Sequence, residues 1–305
     1  MAAAEHCRLP HNPQMSSTIQ NILRKDGLLL EAALNLDPGS ARIEVQCLLQ
    51  SVLQANRAWL LGHPEQSLDQ DQHARYTTLF ERRLNGEPIA YLLGEREFFG
   101  LTFMVNPATL IPRPETELLV ELVLQHIPQQ GKFRILDLGT GCGAIALSIA
   151  HERPDTDVIA VDASKAALEM AELNAQRLNL GNVRLLPSDW FGALQGEHFD
   201  IIVSNPPYVA TGDTHLMQGD VRFEPPAALA SGADGLEDIR RITAQAKIHL
   251  NANGWLLLEH GYDQAAKVRA LLQQAGFDHI FSARDLAGIE RVSGGARSAL
   301  TKTAG

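Results

Sequence analysis

The stretch of sequence that decides the fold is RILDLGTGCG, residues 134–143. Its first half is a short apolar run, which is typical of a buried strand, and three glycines crowd its second half. The apolar segment 144–150 follows at once and predicts a buried helix. A strand, a glycine turn and a helix in this order are typical of a nucleotide-type binding site, because glycines let the backbone pass close to a ligand.

Apolar runs continue along the chain at 158–161, 183–186, 199–203 and 255–258, with helical patterns between several of them. Such alternation is typical of a parallel sheet that helices cover on both faces. The sequence therefore predicts an α/β fold. In such folds ligands bind beyond the carboxyl ends of the strands, so the residues that follow each run are candidates for a binding site.

The segments that precede this sheet differ in character. Residues 1–14 show no periodic pattern and predict a flexible extension, which leaves Met15 as a second candidate start. In residues 15–86 apolar side chains recur at three- and four-residue spacing, which predicts a small helical domain. Residues 87–112 carry aromatic and branched side chains between glycines and predict a hairpin linker, so that the main domain spans 113–305.

Composition narrows the class of protein. The chain has 305 residues, of which 45% are hydrophobic and 20% charged, as is typical of a soluble globular protein. We expect no membrane helix, no secretory signal and a cytoplasmic location. Three scattered cysteines and eleven histidines without metal-ligand spacing predict neither a disulfide framework nor a metal site. The net charge of −10 argues against a nucleic-acid partner.

The spacing of the glycine turn indicates the kind of cofactor. The pattern after Asp137 is G-x-G-x-G, whereas a pyrophosphate is held by G-x-G-x-x-G. S-adenosylmethionine has no phosphate but carries an ammonium group, which suits an acidic side chain, although a turn without a ligand is the alternative. Asp162 ends the second run, where a carboxylate can accept both ribose hydroxyls or cap the next helix. Asp189 and Trp190 follow the third run and fit the adenine amino group and ring, unless Trp190 belongs to the core.

The fourth run ends in Asn205-Pro206-Pro207-Tyr208. Two prolines fix the backbone and remove two N–H donors, so the Asn205 side-chain oxygen and the Pro206 carbonyl remain as acceptors for an NH₂ group. Such acceptors orient the nitrogen and favour the charge that builds up on it during methyl transfer. The ring of Tyr208 offers a face to a planar group. The motif predicts methylation of a flat amide or amino nitrogen, and an ordinary turn is the alternative.

Eight segments of the chain, taken together, resemble one known family. They are GEPIAYLLGEREF at 86–98, LIPRPETE at 110–117, DLGTGCG at 137–143, SDWF at 188–191, VSNPPY at 203–208, GDVRFEP at 219–225, LEHG at 258–261 and ERV at 290–292. The family is that of the peptide chain release factor N5-glutamine methyltransferases, the PrmC/HemK type. The likeness runs from about Met15 almost to the C-terminus.

The resemblance implies a Rossmann-like class I methyltransferase domain behind a small helical domain that helps to hold the substrate. It implies S-adenosyl-L-methionine as the cofactor, which becomes S-adenosyl-L-homocysteine, and peptide chain release factors as the protein substrate. The implied methyl acceptor is the side-chain amide nitrogen (N5) of the glutamine in their Gly-Gly-Gln motif.

The residue patterns and the resemblance together give a candidate site. The predicted cofactor-binding residues are Asp137, Leu138, Gly139, Thr140, Gly141, Asp162, Asp189, Trp190 and Asn205. The predicted substrate-binding residues are Asn205, Pro206, Pro207 and Tyr208. Of these we expect Asn205, Pro206 and Tyr208 to take part in catalysis.

Three rival functions share parts of this pattern. A glutamine methyltransferase of a ribosomal protein has the same fold and motif, but segments 220–225 and 259–261 resemble the release-factor type. The Asn-Pro-Pro-Tyr motif suits the flat amino nitrogen of an adenine as well as that of an amide. An adenine-N6 DNA methyltransferase is therefore the second rival. That enzyme would need a groove-reading domain and a basic track, whereas this chain is acidic. The complete motif set argues against a binding module without catalysis.

The C-terminal end departs from the family. The family usually finishes in an apolar strand after Glu-Arg-Val, whereas here SGGARS follows at 293–298. Glycine and serine have poor strand propensity, so we expect the last strand to be short or frayed. The catalytic motifs are intact, and we expect activity to survive this change.

Overall fold

The computed structural model describes residues 18–298, so the predicted extension 1–14 lies outside the described residues. The chain divides between Leu93 and Gly94 into two compact units, at a point inside the predicted linker 87–112. Between residues 18 and 298 no helix combines the length and the apolar character that crossing a membrane requires.

The first unit is helical, as its periodic pattern predicted. Its elements are α1 (Ile19–Leu34), α2 (Pro38–Leu53), α3 (Arg57–Gly62), α4 (Gln70–Leu84) and α5 (Ile89–Leu93). Four helices begin at a side chain that accepts a hydrogen bond from a backbone N–H of the first turn, which satisfies a donor that the helix leaves free. These caps are Thr18, Asp37, Asn56 and Asp69.

A buried ion pair joins α2 to α4 in this unit. Arg83 is only 1% exposed, and its guanidinium donates to the two carboxylate oxygens of Glu44 at 2.6 and 3.0 Å. It also donates to the backbone carbonyl of Glu87 at 3.0 Å. A buried charge is tolerated only when it is paired and hydrogen-bonded in this way, so the pair fixes how the two helices meet.

The second unit opens with a hairpin. Strand β1 (Glu95–Phe98) pairs antiparallel with β2 (Leu101–Met104), within the segment that the sequence predicted as a hairpin. A 3₁₀ turn, Pro114–Thr116, then leads into helix α6 (Glu117–His126). Proline suits this first turn because its fixed φ matches the helix and its missing N–H is not needed there.

A seven-stranded sheet forms the body of the second unit. The remaining elements are β3 (Arg134–Leu138), α7 (Ala144–Glu152), β4 (Asp157–Asp162), α8 (Lys165–Arg177), β5 (Val183–Pro187), β6 (Phe199–Ser204), α9 (Glu237–His249), β7 (Leu250–Glu259), α10 (Ala265–Gln274), β8 (Asp278–Arg284) and β9 (Glu290–Ala296). The strand order is β5-β4-β3-β6-β7-β9-β8, with β3 to β7 parallel and β9 antiparallel to both neighbours. Each predicted run forms one of the parallel strands, which confirms the α/β prediction.

The sheet has a topological switch point beside β3. From β3 the chain crosses to β4 on one side, and it later returns to β6 on the other side. In the β3–β6 pair Leu138 lies opposite Ser204, and the Ser204 hydroxyl donates to the Leu138 carbonyl at 2.6 Å. The loops that follow these two strands therefore leave the sheet side by side, where α/β folds bind their ligands.

The last strand shows that one expectation was wrong. β9 is a full strand of seven residues, although its sequence, ERVSGGA, has poor strand propensity. Its position between β7 and β8 decides the outcome. A Cβ atom at Gly294 would lie 2.6 Å from Leu257 Cδ2 and 2.8 Å from Phe281 Cε1, so only glycine fits there. Tertiary packing overrides intrinsic propensity in this strand.

The buried His260 explains why a serine, Ser293, stands in β9. His260 is fully buried, with its Nε2 atom 2.8 Å from Ser293 Oγ and its Nδ1 atom 2.9 Å from the Gly261 carbonyl. Burial lowers the pKa of His260 below its ordinary value, which favours the neutral ring. An apolar side chain at Ser293 would leave a buried ring nitrogen without a partner, which is unfavourable.

We predict that Gly294→Ala destabilises the protein. The added Cβ would also lie 2.9 Å from the Leu256 carbonyl oxygen, and backbone cannot move aside as a flexible side chain can. Overpacking of this kind costs about 1–3 kcal/mol, so the midpoint of thermal unfolding should fall by several degrees. The matched control is Gly181→Ala, because a Cβ at Gly181 would meet nothing within 4 Å. Equal melting temperatures for the two variants would contradict this account of β9.

Candidate active site

A cavity of about 340 Å³ lies at the carboxyl ends of β3, β4 and β6. The predicted site residues that line it are Gly139, Thr140, Gly141, Asp162, Asp189, Trp190, Asn205 and Pro207. The other predicted residues, which lie outside its lining, are Asp137, Leu138, Pro206 and Tyr208. The structure thus brings the glycine turn, the acid of the second strand and the Asn-Pro-Pro-Tyr segment to one place.

The glycine turn closes one end of the cavity. Gly139 and Gly141 have φ angles of 74° and 57°, a left-handed conformation that other residues rarely adopt. A Cβ atom at Gly139 would also lie 3.4 Å from the ring of Trp190. The backbone of the turn therefore carries no side chain at these two positions, and the ring of Trp190 packs beside it.

Asp137 supports this turn from below. Its side chain is fully buried, and its Oδ2 atom accepts hydrogen bonds from the Thr140 hydroxyl at 2.6 Å and from the Ala146 N–H at 3.2 Å. Burial raises the pKa of Asp137 to about 7. Asp137 therefore ties the turn to the start of α7. It is not among the residues that line the cavity, and its buried Oδ1 atom has no hydrogen-bond partner among residues 18–298.

Asp162 joins two loops at the cavity wall. Its Oδ2 atom accepts from the Gly141 N–H at 2.9 Å, and its Oδ1 atom accepts from the Ser164 N–H at 2.8 Å. The cap of α8 is Ser164, whose side chain accepts from the Ala167 N–H at 3.2 Å. Because Ser164 supplies that cap, Asp162 keeps its carboxylate at the cavity.

Trp190 also lines the cavity and holds a strained backbone conformation. Its φ angle is 49°, which costs a non-glycine residue roughly 1–2 kcal/mol. The Ser188 hydroxyl donates to the Trp190 carbonyl at 2.7 Å, and the indole Nε1 donates to Asp238 at 3.2 Å. The ring packs on the core and also lines the cavity, whereas Phe191 is entirely a core residue. Strain held by such bonds is typical of functional sites.

Two residues at the same wall had no signal in the sequence. Asp238 and Arg241 lie on α9, about 50 positions after Trp190, yet both line the cavity. Arg241 pairs with Asp189 at 2.8 Å and with Asp238 at 3.6 Å. The carboxylate predicted to meet an adenine amino group is therefore already held by a cation. Only the fold brings α9 to this wall, so no local pattern could have indicated the pair.

The Asn-Pro-Pro-Tyr segment is fixed along its length. The Asn205 Nδ2 atom donates to the hydroxyl of Thr116 at 3.2 Å, which leaves the Oδ1 atom free of that bond. The Tyr208 N–H donates to the Leu229 carbonyl at 3.1 Å, and Gln264 Nε2 donates to the Tyr208 carbonyl at 3.0 Å. No residue between 18 and 298 donates a hydrogen bond to the Pro206 carbonyl.

An ion pair between a partly exposed arginine and a buried carboxylate joins two loops of the cavity wall. The guanidinium of Arg113 donates to Glu224, whose second oxygen accepts from the Ile111 N–H at 3.0 Å. Glu224 is only 3% exposed, and burial raises its pKa above the ordinary value. Segments 108–113 and 225–228 on either side of this pair both contribute to the lining. The sequence signal for the pair was the resemblance of its two segments to the family.

The side chains of this cavity include neither a metal-ligand group nor a thiolate among the described residues. Within the described part of the chain no three His, Cys, Asp or Glu side chains form a group that could hold a metal ion. Cys142 lines the cavity, but burial raises its pKa to about 12, so its thiol stays protonated. The cavity instead presents carboxylate, amide and carbonyl oxygens, which can orient a nitrogen that carries hydrogens.

Comparisons with known proteins concern the family and the fold of this chain. The family model named Methyltransferase small domain matches residues 116–275, and the model named PrmC N-terminal domain matches residues 28–94. A solved methyltransferase from Pyrococcus furiosus is similar to 73% of this chain and 100% of its own, with a TM-score of 0.51. Its sequence is 21% identical, so this likeness concerns the fold alone.

Two curated relatives carry the name release factor glutamine methyltransferase. The protein from Bordetella pertussis is 51% identical over 260 residues, which cover 85% of this chain and 96% of that protein. The protein from Escherichia coli is 48% identical over 254 residues, which cover 83% of this chain and 91% of that protein. The resemblance seen in the sequence is thus confirmed: the chain belongs to the release factor glutamine methyltransferases.

Proposed function

We propose that this protein transfers a methyl group from S-adenosyl-L-methionine to the side-chain amide nitrogen of the glutamine in the Gly-Gly-Gln motif of peptide chain release factors. One observation carries the proposal. Asn205 lines the cavity with the glycine turn, and its Nδ2 atom donates to Thr116, so its Oδ1 atom remains as an acceptor. The carbonyl of the next residue, Pro206, accepts no hydrogen bond from residues 18–298.

We propose that the cavity holds S-adenosyl-L-methionine. Gly139 and Gly141 hold positive φ angles and carry no side chain, so the turn leaves its backbone open to a close ligand. We propose that Asp162 accepts the ribose hydroxyls, since a carboxylate has about four acceptor positions and two backbone N–H groups use only part of them. The indole of Trp190 offers a flat face to the adenine ring. When bound, the cofactor supplies an activated methyl group on a sulfonium.

We propose that the residues that follow β6 act on the substrate. An amide nitrogen is a poor nucleophile, because its lone pair is delocalised into the carbonyl. We propose that Asn205 Oδ1 and the Pro206 carbonyl each accept one hydrogen of the glutamine NH₂ group. This orients the nitrogen and favours the positive charge that develops on it. The half-buried ring of Tyr208 gives the planar amide a surface to stack on.

The helical segment 15–86 has no catalytic constellation in its sequence, and we propose that it helps to hold the release factor. The match of the PrmC N-terminal domain to residues 28–94 supports a role that is common to the family. We also propose that the protein works in the cytoplasm, where release factors meet the ribosome. In this proposal segment 87–112 links the helical domain to the methyltransferase domain, which spans 113–305.

The substrate assignment is tested by labelled methyl transfer to a purified release factor. We expect one methyl group per molecule, on the glutamine of the Gly-Gly-Gln motif. The control is the same release factor with that glutamine changed to alanine, which should accept no label. Transfer to the altered protein, or a preference for a ribosomal protein or for DNA, would refute the proposed substrate.

Asn205→Ala tests the two proposed acceptors of the glutamine NH₂ group, Asn205 Oδ1 and the Pro206 carbonyl, which we call the amide clamp. We expect a fall in kcat on the order of 100-fold or more, as when one hydrogen bond to developing charge is removed from an active site. Cofactor affinity, measured by isothermal titration calorimetry, should change far less than kcat. A variant that keeps near-native turnover would show that Asn205 does not hold the amide.

Asp162→Ala tests the ribose contact. Loss of charged hydrogen bonds to two hydroxyls should weaken cofactor binding at least about tenfold in calorimetry. The matched control is Asp155→Ala, which removes an exposed carboxylate outside the cavity lining and should leave affinity unchanged. Equal affinity in both variants would exclude the proposed role of Asp162.

A further inference from the structure

A buried carboxyl lies beside the catalytic segment without a place in the mechanism above. Glu259 is the last residue of β7, and it is only 2% exposed. In the parallel pairing of β6 with β7, Ser204 lies opposite Leu258. The next residues along the two strands are Asn205 and Glu259, so this carboxyl sits at the same edge as the amide clamp.

The hydroxyls of Thr116 and Tyr208 lie near Glu259, and Thr116 also contacts Asn205. Asn205 Nδ2 donates to Thr116, a residue that is 4% exposed. Burial raises the pKa of Glu259 to about 7, and the neighbouring hydroxyls of Thr116 and Tyr208 act in the opposite direction. Both hydroxyls therefore face the same carboxyl, one behind Asn205 and one at the end of the motif.

The stability of the fold does not explain why a carboxyl group is buried at position 259. Its Oε2 atom is buried and has no hydrogen-bond partner among residues 18–298. A buried acceptor that lacks a partner weakens a fold, and an apolar side chain of the same size would avoid that loss. A polar group kept in such a place is better explained by what it does to its neighbours.

The direction of the hydrogen bonds gives the reason. An ionised carboxylate only accepts, and a hydroxyl has a single hydrogen. When Thr116 gives its hydrogen to Glu259, it can only accept from Asn205. The amide of Asn205 must then point its Nδ2 atom at Thr116 and its Oδ1 atom at the substrate. Without the carboxylate Thr116 is free to donate, and Asn205 is free to turn its NH₂ group towards the NH₂ group of the glutamine.

We propose that Glu259 is a positioning residue that acts through Thr116 to hold the acceptor oxygen of Asn205 towards the substrate amide. The same carboxylate takes the hydrogen of the Tyr208 hydroxyl and so fixes the ring on which the amide stacks. The inference rests on the proposed function, since it assigns a task within the same reaction. Glu259 is not among the residues that line the cavity, so we assign it no contact with the reacting atoms.

The charges around this group bear on its pH dependence. Arg291 lowers the pKa of Glu259, and Glu115 raises it. The charge of Arg113 acts on the neighbouring Tyr208 and lowers the pKa of its hydroxyl. When Glu259 takes up a proton it becomes a donor, and the direction of the hydrogen bonds is no longer fixed. We therefore expect kcat to fall as the pH is lowered through about 7.

The test is kinetic and uses Glu259→Gln, which keeps the shape of the side chain but adds donors. We expect kcat to fall at least tenfold, with the cofactor Kd and the KM for the release factor within about threefold of native. The falling acid limb of the kcat profile near neutral pH should also disappear. The matched control is Glu121→Gln, an exposed residue of α6, which should behave as the native enzyme.

The partner residue supplies a second, independent arm. Thr116→Val keeps the shape but removes the hydroxyl, and it should lower kcat as Glu259→Gln does, whereas Thr116→Ser should restore most of it. If the two residues act as one unit, the double variant should be no slower than either single variant. This arm decides the matter even if Glu259→Gln fails to fold.

Native kcat in Glu259→Gln, an unchanged acid limb, or fully additive losses with Thr116→Val would overturn the inference. Each of these outcomes is measured against native enzyme that methylates the release factor, so it leaves the proposed function standing. Failure of the native enzyme to methylate any release factor would instead refute the proposed function itself.

Discussion

The pairing of β3 with β6 is the constraint on which the rest of this structure depends. It sets Leu138 opposite Ser204, and a 2.6 Å hydrogen bond from the Ser204 hydroxyl to the Leu138 carbonyl locks the two strand ends together. The glycine turn follows one strand at once, and Asn205 follows the other. A shift of this register by one residue would turn these side chains to the opposite face and separate the two halves of the site.

The polar groups of the site are mostly hydrogen-bond acceptors. The cavity holds no free thiolate, because burial keeps Cys142 protonated, and its polar groups are mainly amide, carbonyl and carboxylate oxygens. This suits a reaction in which the methyl donor is already activated and the acceptor nitrogen must only be oriented. The direction of each hydrogen bond then matters more than the strength of any base. Buried groups such as Thr116 and Glu259, which lie beside the clamp, are where that direction is set.

Sequence reasoning reached the parallel strands because each is a short apolar run bounded by polar residues, and such a pattern is local. It also placed the glycine turn and Asn205 at one edge, since parallel strands end together. It went wrong at β9, where Gly294 is demanded by Leu257 and Phe281 from neighbouring strands. Contacts of that kind link distant parts of the chain, and intrinsic propensity does not record them.

The same limit applies inside the site. Arg241 reaches Asp189 from α9, and Thr116 reaches Asn205 across 89 positions of sequence. Asp137 is predicted to meet the cofactor, and the structure buries it with its Oδ2 atom bonded to the turn and its Oδ1 atom without a hydrogen-bond partner among residues 18–298. Spacing can locate a carboxylate next to a turn, but whether its oxygens face a ligand or a backbone N–H depends on packing.

The central claim, that Asn205 and Pro206 hold the glutamine amide by its hydrogens, is tested most directly by a crystal structure with S-adenosyl-L-homocysteine and a Gly-Gly-Gln peptide. The account predicts that the glutamine side-chain nitrogen lies about 2.7–3.2 Å from both Asn205 Oδ1 and the Pro206 carbonyl oxygen. A glutamine nitrogen that lies beyond hydrogen-bond distance of both oxygens, or that faces the Nδ2 atom of Asn205, would contradict it.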